Sequence, residues 1–384
     1  MAELLSFLIL ITAGLFLSEL LRRFHLPYVV ALILVGIIIG PYGIDLFEAS
    51  PVIEFLGTIG LIFLMFMAGL EVRISKLEKL KGGVMKISLL NAIIPFAVGA
   101  LIAFYFGYTA IASVLLGIIF ISSSVAIIVP TLEANGLLNS KLGRTIITAT
   151  VFEDVFSLLL LSVVLQSINP TTPLPLPVFY LFVFAALMAL RILIPKAKEI
   201  FFSGLKKQEH IFEQEVRFIF VVLIGTVVLF ELLGMHSIIA GFFTGLVLSD
   251  SIKSGVLKEK LHAISYGLFI PVFFIIIGSE TDIGVFADTG GALLLTIAVI
   301  VGSMGSKFIS GWVAGKMSGF SSCQSSLIGA STIPQLSTTL AVAFVSYEFG
   351  LIDHRLITAM VVLSIVTTFA GPLLTARICP KCKK

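Results

Sequence analysis

The chain has 384 residues, of which 58% are hydrophobic and only 12% charged, and its mean hydropathy is +1.14. An ordinary soluble domain carries about 25% charged residues, so this composition excludes one. The net charge of +3 follows from how the charges are placed around a membrane and does not mark a nucleic-acid surface.

The apolar residues gather into runs of about 20, the length that crosses about 30 Å of hydrocarbon as a helix. In chain order these fall at roughly 4–21, 28–44, 52–71, 84–107, 109–132, 144–167, 176–195, 216–234, 236–249, 262–280, 292–315, 323–347 and 353–377. The pattern predicts an all-α polytopic membrane protein with 13 transmembrane helices. The first run ends in Glu19, Arg22 and Arg23 without a small-residue cleavage site and reads as a retained helix, not a signal peptide. Pro27, Pro51, the Asn169 to Pro177 segment and Gly234 punctuate the gaps. The longest linker, Lys196 to Glu215, is a polar connector, and no loop has room for a soluble domain. Residues 1–384 therefore read as one transmembrane domain, with 378–384 as a short cytoplasmic tail.

Charge orients the bundle. With the N-terminus outside, 23 of the 25 basic residues fall in cytoplasmic loops, Arg355 falls outside, and Lys307 remains within a span. Such asymmetry follows the positive-inside rule. It predicts an N-terminus outside and a C-terminus in the cytoplasm of a cell that carries the protein in its inner or plasma membrane.

Lys307 is the only basic residue deep in a span, and Glu153 and Asp154 are the only acids so placed. Glu153 lies about nine residues from the cytoplasmic end of the sixth span and Lys307 about eight from that of the eleventh, which puts them at nearly one depth, roughly 12–14 Å below the boundary. A charge there costs about 2.5–3.5 kcal/mol even on a lenient insertion scale, so partners or water are required. Adjacent helical positions differ by about 100°, so the two acids cannot face the same partner. One can pair with Lys307 while the other faces a cavity. A buried cluster that merely sets helix register would need only one acid, and the second makes an ion or proton pathway the favoured reading.

Internal repetition points the same way. An offset of 209 residues aligns VALILVGIIIG from Val30 with IAGFFTGLVLS from Ile239, GLEVRI from Gly69 with GSETDI from Gly278, and ISSSVA from Ile121 with ASTIPQ from Ala330. The offset moves an odd number of helices, seven, so the second copy is inserted upside down: repeat 1 at about 1–167, a linker helix at about 176–195, and repeat 2 at about 216–377. In the third block Ser122, Ser123 and Ser124 interrupt the fifth span, and Ser331, Thr332, Pro334 and Gln335 interrupt the twelfth. Proline within a helix removes a hydrogen bond and clashes with the preceding turn. Paired interruptions in corresponding repeat positions point to a midplane ion site between two broken, crossing helices. Close packing by small hydroxyl residues is the alternative. Ser123 and Ser124 are the expected ion ligands, whereas Thr338 and Thr339, just past the second break, are expected to matter less.

Taken as an ordered set, GIIIGP (Gly36 to Pro41), GLE (Gly69 to Glu71), SSSVA, the Glu153–Asp154 pair, GSK (Gly305 to Lys307) and the polar break in the twelfth span resemble the cation:proton antiporter superfamily, in its Kef-type and related sodium/proton branch. The resemblance covers essentially the whole chain. It implies a homodimer in which a scaffold holds a core of the fourth to sixth and eleventh to thirteenth helices that moves like an elevator. It also implies that Asp154 takes either cation or proton while Glu153 pairs with Lys307. The sequence departs from the family in two ways: Glu-Asp stands where relatives carry Asp-Asp or Gln-Asp, and PQLSTT stands where Kef-type members show a QGEF-like run. These departures leave ion choice open between sodium, the first choice, and potassium.

Carboxylate and hydroxyl ligands suit a hard monovalent cation, with membrane lipid as the other partner and no cofactor, resident metal or nucleic acid expected. If the empty, charged site cannot cross the barrier but either loaded form can, cation and proton flows are exchanged obligatorily. An enzyme is not expected: adjacent acids diverge, unlike an aspartyl protease pair, and His25, His210, His236, His262 and His354 all fall at or near span ends. A passive cation channel is the further alternative, although no filter motif is present. Cys323 reads as a packing residue, and Cys379 and Cys382 as thiols of a cytoplasmic tail, too few for a tetrahedral zinc site.

Overall fold

A computed structural model describes the chain except residues 1, 24–25, 72–81, 169, 171–174, 203–210, 250, 253, 286–289 and 383–384. Several of the basic loop residues that orient the sequence in a membrane, among them Arg73, Lys76, Lys79, Lys81, Lys206, Lys207 and Lys253, thus lie outside the described residues.

The described residues form helices α1 (Ala2–Arg22), α2 (Tyr28–Ile39), α3 (Pro51–Glu71), α4 (Gly82–Tyr105), α5 (Ala110–Ile121), α6 (Val125–Ala134), α7 (Lys141–Ile168) and α8 (Leu176–Phe202). They continue with α9 (Ile211–Leu232), α10 (Ser237–Leu248), α11 (Gly255–Ile264), a π-helical turn (Ser265–Phe269), α12 (Ile270–Ser279), α13 (Gly290–Met317), α14 (Ser322–Ser331), α15 (Ser337–Glu348) and α16 (His354–Cys382). Nine helical stretches among them are long and apolar enough to cross a membrane, and Tyr28–Ile39 and Ser237–Leu248 are shorter apolar helices. The protein is a multi-pass membrane protein.

The chain divides into two compact units. The first holds residues 1–14, 49–78 and 162–276, with α10 packed against α3, α8 and α9. Its π-turn precedes Pro271, which has no N–H for a regular helical bond. The Phe269 ring there stacks on Phe63 at 5.2 Å. The second unit holds residues 15–48, 79–161 and 277–384. In it α13 packs against α4, α14 and α16, α4 packs against α5, and α15 packs against α5 and α16.

Two close helix approaches stand at the 209-residue offset. In the first unit Gly69 of α3 lies so close to the backbone of Phe242 and Gly245 in α10 that a Cβ would stand 2.1 Å from the Phe242 carbonyl. In the second unit Gly278 of α12 lies equally close to Ile33 and Gly36 of α2, with 2.1 Å to the Ile33 carbonyl. Each glycine and each of its neighbours is displaced by 209 positions from its counterpart. Only a residue without a side chain allows this approach, which is how small residues bring membrane helices together.

One expectation is overturned. The fold lays the C-terminal end of α16, helical through Cys382, beside the first turn of α14, and Cys323 and Cys382 form a disulfide with Cα atoms 5.5 Å apart. Sequence alone treats Cys323 as packing and Cys382 as a thiol that a reducing cytoplasm keeps unpaired, and 59 residues separate the two. Cys379 is buried and directs its thiol to the Asn135 carbonyl at 3.8 Å. Closing a loop of this length is worth about 2–4 kcal/mol. Cys323→Ser is therefore expected to lower the melting temperature in detergent by several degrees, to the value that a reducing agent gives the unaltered protein. Equal melting with and without reductant would show that the bridge contributes nothing.

Candidate ion and proton site

The site lies entirely in the second unit, where two helices break. The first helix stops at Ile121 and restarts at Val125, with Ser122, Ser123 and Ser124 between. The second stops at Ser331 and restarts at Ser337, with Thr332, Ile333, Pro334, Gln335 and Leu336 between. Both breaks fall where the polar runs predict them. They satisfy each other's freed backbone groups: the Ser124 N–H donates to the Pro334 carbonyl at 2.7 Å, and the Gln335 side-chain amide donates to the Phe120 carbonyl at 3.2 Å. Ser123 Oγ lies 2.9 Å from the Thr332 carbonyl, across a separation of 209 residues, so this serine meets its own repeat counterpart. Non-helical backbone at this depth is tolerated only where protein covers it, and Ser122, Ser123 and Ser124 are all buried.

The buried charges meet beside these breaks. Lys307 on α13 and Glu153 on α7 form an ion pair of 2.8 Å, and neither side chain is exposed at all. The lysine ammonium also donates to the carbonyl of Ile121, the last residue of α5, and to that of Asn91 at 3.4 Å. It thereby caps a helix C-terminus, where a cation offsets the unpaired carbonyls. Glu153 accepts from the Ser123 hydroxyl at 2.8 Å and from the Asn91 amide at 3.0 Å.

Asp154 is 6% exposed, and the ion pair's hydrogen bonds are made to Glu153, not to it. Beside Asp154 lie the Thr338 hydroxyl, in the first turn of α15, and the Ser123 backbone N–H. Its Oδ1 is buried and has no hydrogen-bond partner among the described residues, and the same holds for Ser124 Oγ and Gln335 Oε1. A buried, unpartnered carboxylate oxygen is costly, and a proton or a cation on it removes that cost.

The remaining polar residues sort by contact. Ser122 bonds to Thr339 at 2.8 Å. Ser331 bonds to Thr375 on α16 at 3.3 Å, and the Thr332 hydroxyl turns back to the Ile328 and Gly329 carbonyls, so these two side chains hold helices and do not face Asp154. Pro334 contributes its carbonyl and Gln335 its amide to the junction. Ser123, expected as an ion ligand, is engaged by Glu153, which leaves Ser124 as the serine with a free hydroxyl. Thr338, expected to matter less, is the residue beside Asp154. Sequence reasoning also missed Asn91 and Ser310: the Ser310 hydroxyl donates to Asn91 Oδ1 at 2.5 Å, and both residues are fully buried. An asparagine in the middle of the apolar fourth span was the available signal.

Paired broken helices, closed over a buried acid and an ion pair, define an ion-transport protein of the membrane and not an enzyme. The model of the family described as "Sodium/hydrogen exchanger, transmembrane" matches residues 7–379, and the chain belongs to that family. A relative named "Probable Na(+)/H(+) antiporter 3", from Methanocaldococcus jannaschii, is 33% identical over 98% of this chain and 97% of its own. A second, named "Na(+)/H(+) antiporter", from Enterococcus hirae, is 29% identical over 93% of each chain. Among solved structures, the sodium proton antiporter MjNhaP1 from Methanocaldococcus jannaschii has the same fold, with a TM-score of 0.71 over 99% of both chains at 15% identity.

Proposed function

We propose that this protein is a secondary active antiporter that exchanges a monovalent cation, sodium in the first place, for protons. The observation that carries this reading is Asp154: a buried carboxylate with one unpartnered oxygen, at a junction of two broken helices, beside an acid already neutralised by lysine. Lys307 fixes the charge of Glu153, so only Asp154 is left to change its load. A bound cation displaces the proton and a bound proton displaces the cation. The charged, empty site is the form that the surrounding hydrocarbon disfavours most, so the loaded forms are the ones that cross.

The names of the two relatives support sodium. The carboxylate with Ser124 and Thr338 hydroxyls also offers small hard oxygens. Potassium is the second reading, because the Glu-Asp pair matches neither family pattern. We further place the chain as a homodimer in the cell membrane, N-terminus outside and C-terminus cytoplasmic. It has thirteen spans in two inverted repeats and a core of α4 to α7 and α13 to α16 that carries the site across in elevator fashion.

Reconstitution in proteoliposomes tests the reading. An imposed sodium gradient is expected to drive proton flux, with lithium and potassium compared in parallel. Flux of either ion alone would make the protein a channel, and absence of coupled flux with all three cations would overturn antiport. Within the site, Ser124→Ala and Thr338→Val are each expected to raise the sodium concentration for half-maximal exchange several-fold. Ser331→Ala, turned toward α16, is expected to leave it unchanged. Unaltered affinity in the first two, with the melting temperature preserved, would leave these hydroxyls as packing residues.

A further inference from the structure

We propose that Asn91 is the positioning residue that holds Glu153 as the dedicated partner of Lys307, and so keeps the two adjacent acids in different roles. The inference rests on the antiport reading of Asp154 and adds the element that keeps Glu153 out of the exchange. Glu153 and Asp154 are neighbours on α7, and the lysine charge lies close enough to act on both. Lysine alone therefore does not decide which acid it neutralises. The geometry does. Asn91 Nδ2 donates to Glu153 Oε1 at 3.0 Å while Lys307 and Ser123 both hold Oε2 at 2.8 Å, so the two oxygens of this carboxylate are fixed from opposite sides.

The orientation of the Asn91 amide is itself determined. The ion-paired Glu153 carboxylate only accepts, so the amide nitrogen must be the end that faces it, which leaves Oδ1 to accept from Ser310 Oγ at 2.5 Å. Ser310 lies one turn beyond Lys307 on α13, and its hydroxyl is also 3.1 Å from the Lys307 carbonyl. The Asn91 carbonyl in turn accepts from the Lys307 ammonium at 3.4 Å. One residue of α4 thus bonds the acid on α7, the lysine on α13 and the serine that follows it. With these bonds in place, Glu153 cannot rotate toward a cation without leaving the fully buried Asn91 amide unpaired, which is unfavourable.

The chemistry predicts a specific pH signature for Asn91→Asp. The new carboxyl has the shape of the amide. Protonated, it can donate to Glu153 Oε1 as the amide does and still accept from Ser310. Ionised, it faces the Glu153 carboxylate with like charge. The charged groups around this position are Glu153 and Asp154 on α7 and Lys307 on α13, whereas α5, which also packs on α4, carries the sequence AIASVLLGIIFI with no titratable side chain. On α4 itself Lys86 and Tyr105 are exposed. The variant's exchange rate, divided by that of the unaltered protein at the same pH, is expected to approach one at the acid end. It should fall by tenfold or more as pH rises. Its melting temperature, measured in detergent relative to the unaltered protein, should fall over the same pH interval. Asn91→Ala, which removes the donor at every pH, should be impaired throughout without that slope.

A pH-independent ratio in Asn91→Asp, for both rate and melting, would overturn the proposal, because a residue that only packs loses function uniformly. So would an Asn91→Ala protein that exchanges like the unaltered one. The melting series needs no transport. If the unaltered protein shows no coupled flux, the antiport reading fails, while the slope in melting still decides whether Asn91 holds Glu153. Should Asn91→Asp fail to fold at neutral pH, its recovery on purification at acid pH is the expected outcome. Failure at every pH tested would count against the proposal.

Discussion

Asp154→Asn is expected to abolish cation-driven proton flux, to the level of protein-free vesicles, while the protein still folds and inserts. Asparagine preserves the side-chain volume and can accept the same donors, the Thr338 hydroxyl and the Ser123 N–H. It cannot bind and release a proton, so the step that couples the two flows is lost. Stability should hold or rise slightly, because the change removes a charge from a site that is 6% exposed and next to another acid. Flux in vesicles and melting in detergent, measured on one preparation, check both halves. Retained coupled flux would remove Asp154 as the shared carrier and require another group to take the proton.

The second large effect concerns the ion pair. Lys307→Ala leaves Glu153 buried and unpaired, and breaking a buried pair from one side costs about 3–5 kcal/mol. Three interactions of the lysine go with it, since its ammonium also serves the Ile121 and Asn91 carbonyls. Glu153→Gln combined with Lys307→Gln should recover part of the loss, because the neutral amides leave no isolated charge. Such coupling among residues in contact is about 0.5–3 kcal/mol, and thermal denaturation of both single variants and the double variant measures it. Additive losses would mean that the pair contributes no mutual stabilisation despite its 2.8 Å geometry. In the double variant Asp154 is untouched, so any residual exchange reports on how far Lys307 is needed for transport beyond holding Glu153.

Sequence by itself determined the membrane character, the existence of the breaks and the identity of the buried charges. Each is a local property. Apolar runs of spanning length, proline and serine inside them, and lone charges at depth all carry costs that the chain cannot hide. The 209-residue offset was equally legible at Gly69 and Gly278, because close helix approach admits no side chain and so leaves a glycine behind in each copy. That one of the two acids pairs with Lys307 followed from matching depths, since unlike charges in hydrocarbon have few alternatives to one another; that it is Glu153 was implied by the family resemblance.

Only the tertiary structure decided which hydroxyl does what. Ser123 and Ser124 are adjacent and chemically identical, yet one bonds Glu153 and the other has no partner among the described residues, because the backbone between Ile121 and Val125 is extended and turns successive side chains apart. Thr338 came next to Asp154, and Thr339 to Ser122, through the meeting of two breaks more than 200 residues apart. Asn91 entered the network through α4, whose sequence carries no charge near that position, and the bridge between Cys323 and Cys382 required α16 to return beside α14. A hydrogen bond depends on tenths of an ångström and on direction, and these are set by how helices pack. The need for a partner is already fixed by burying a polar group at all.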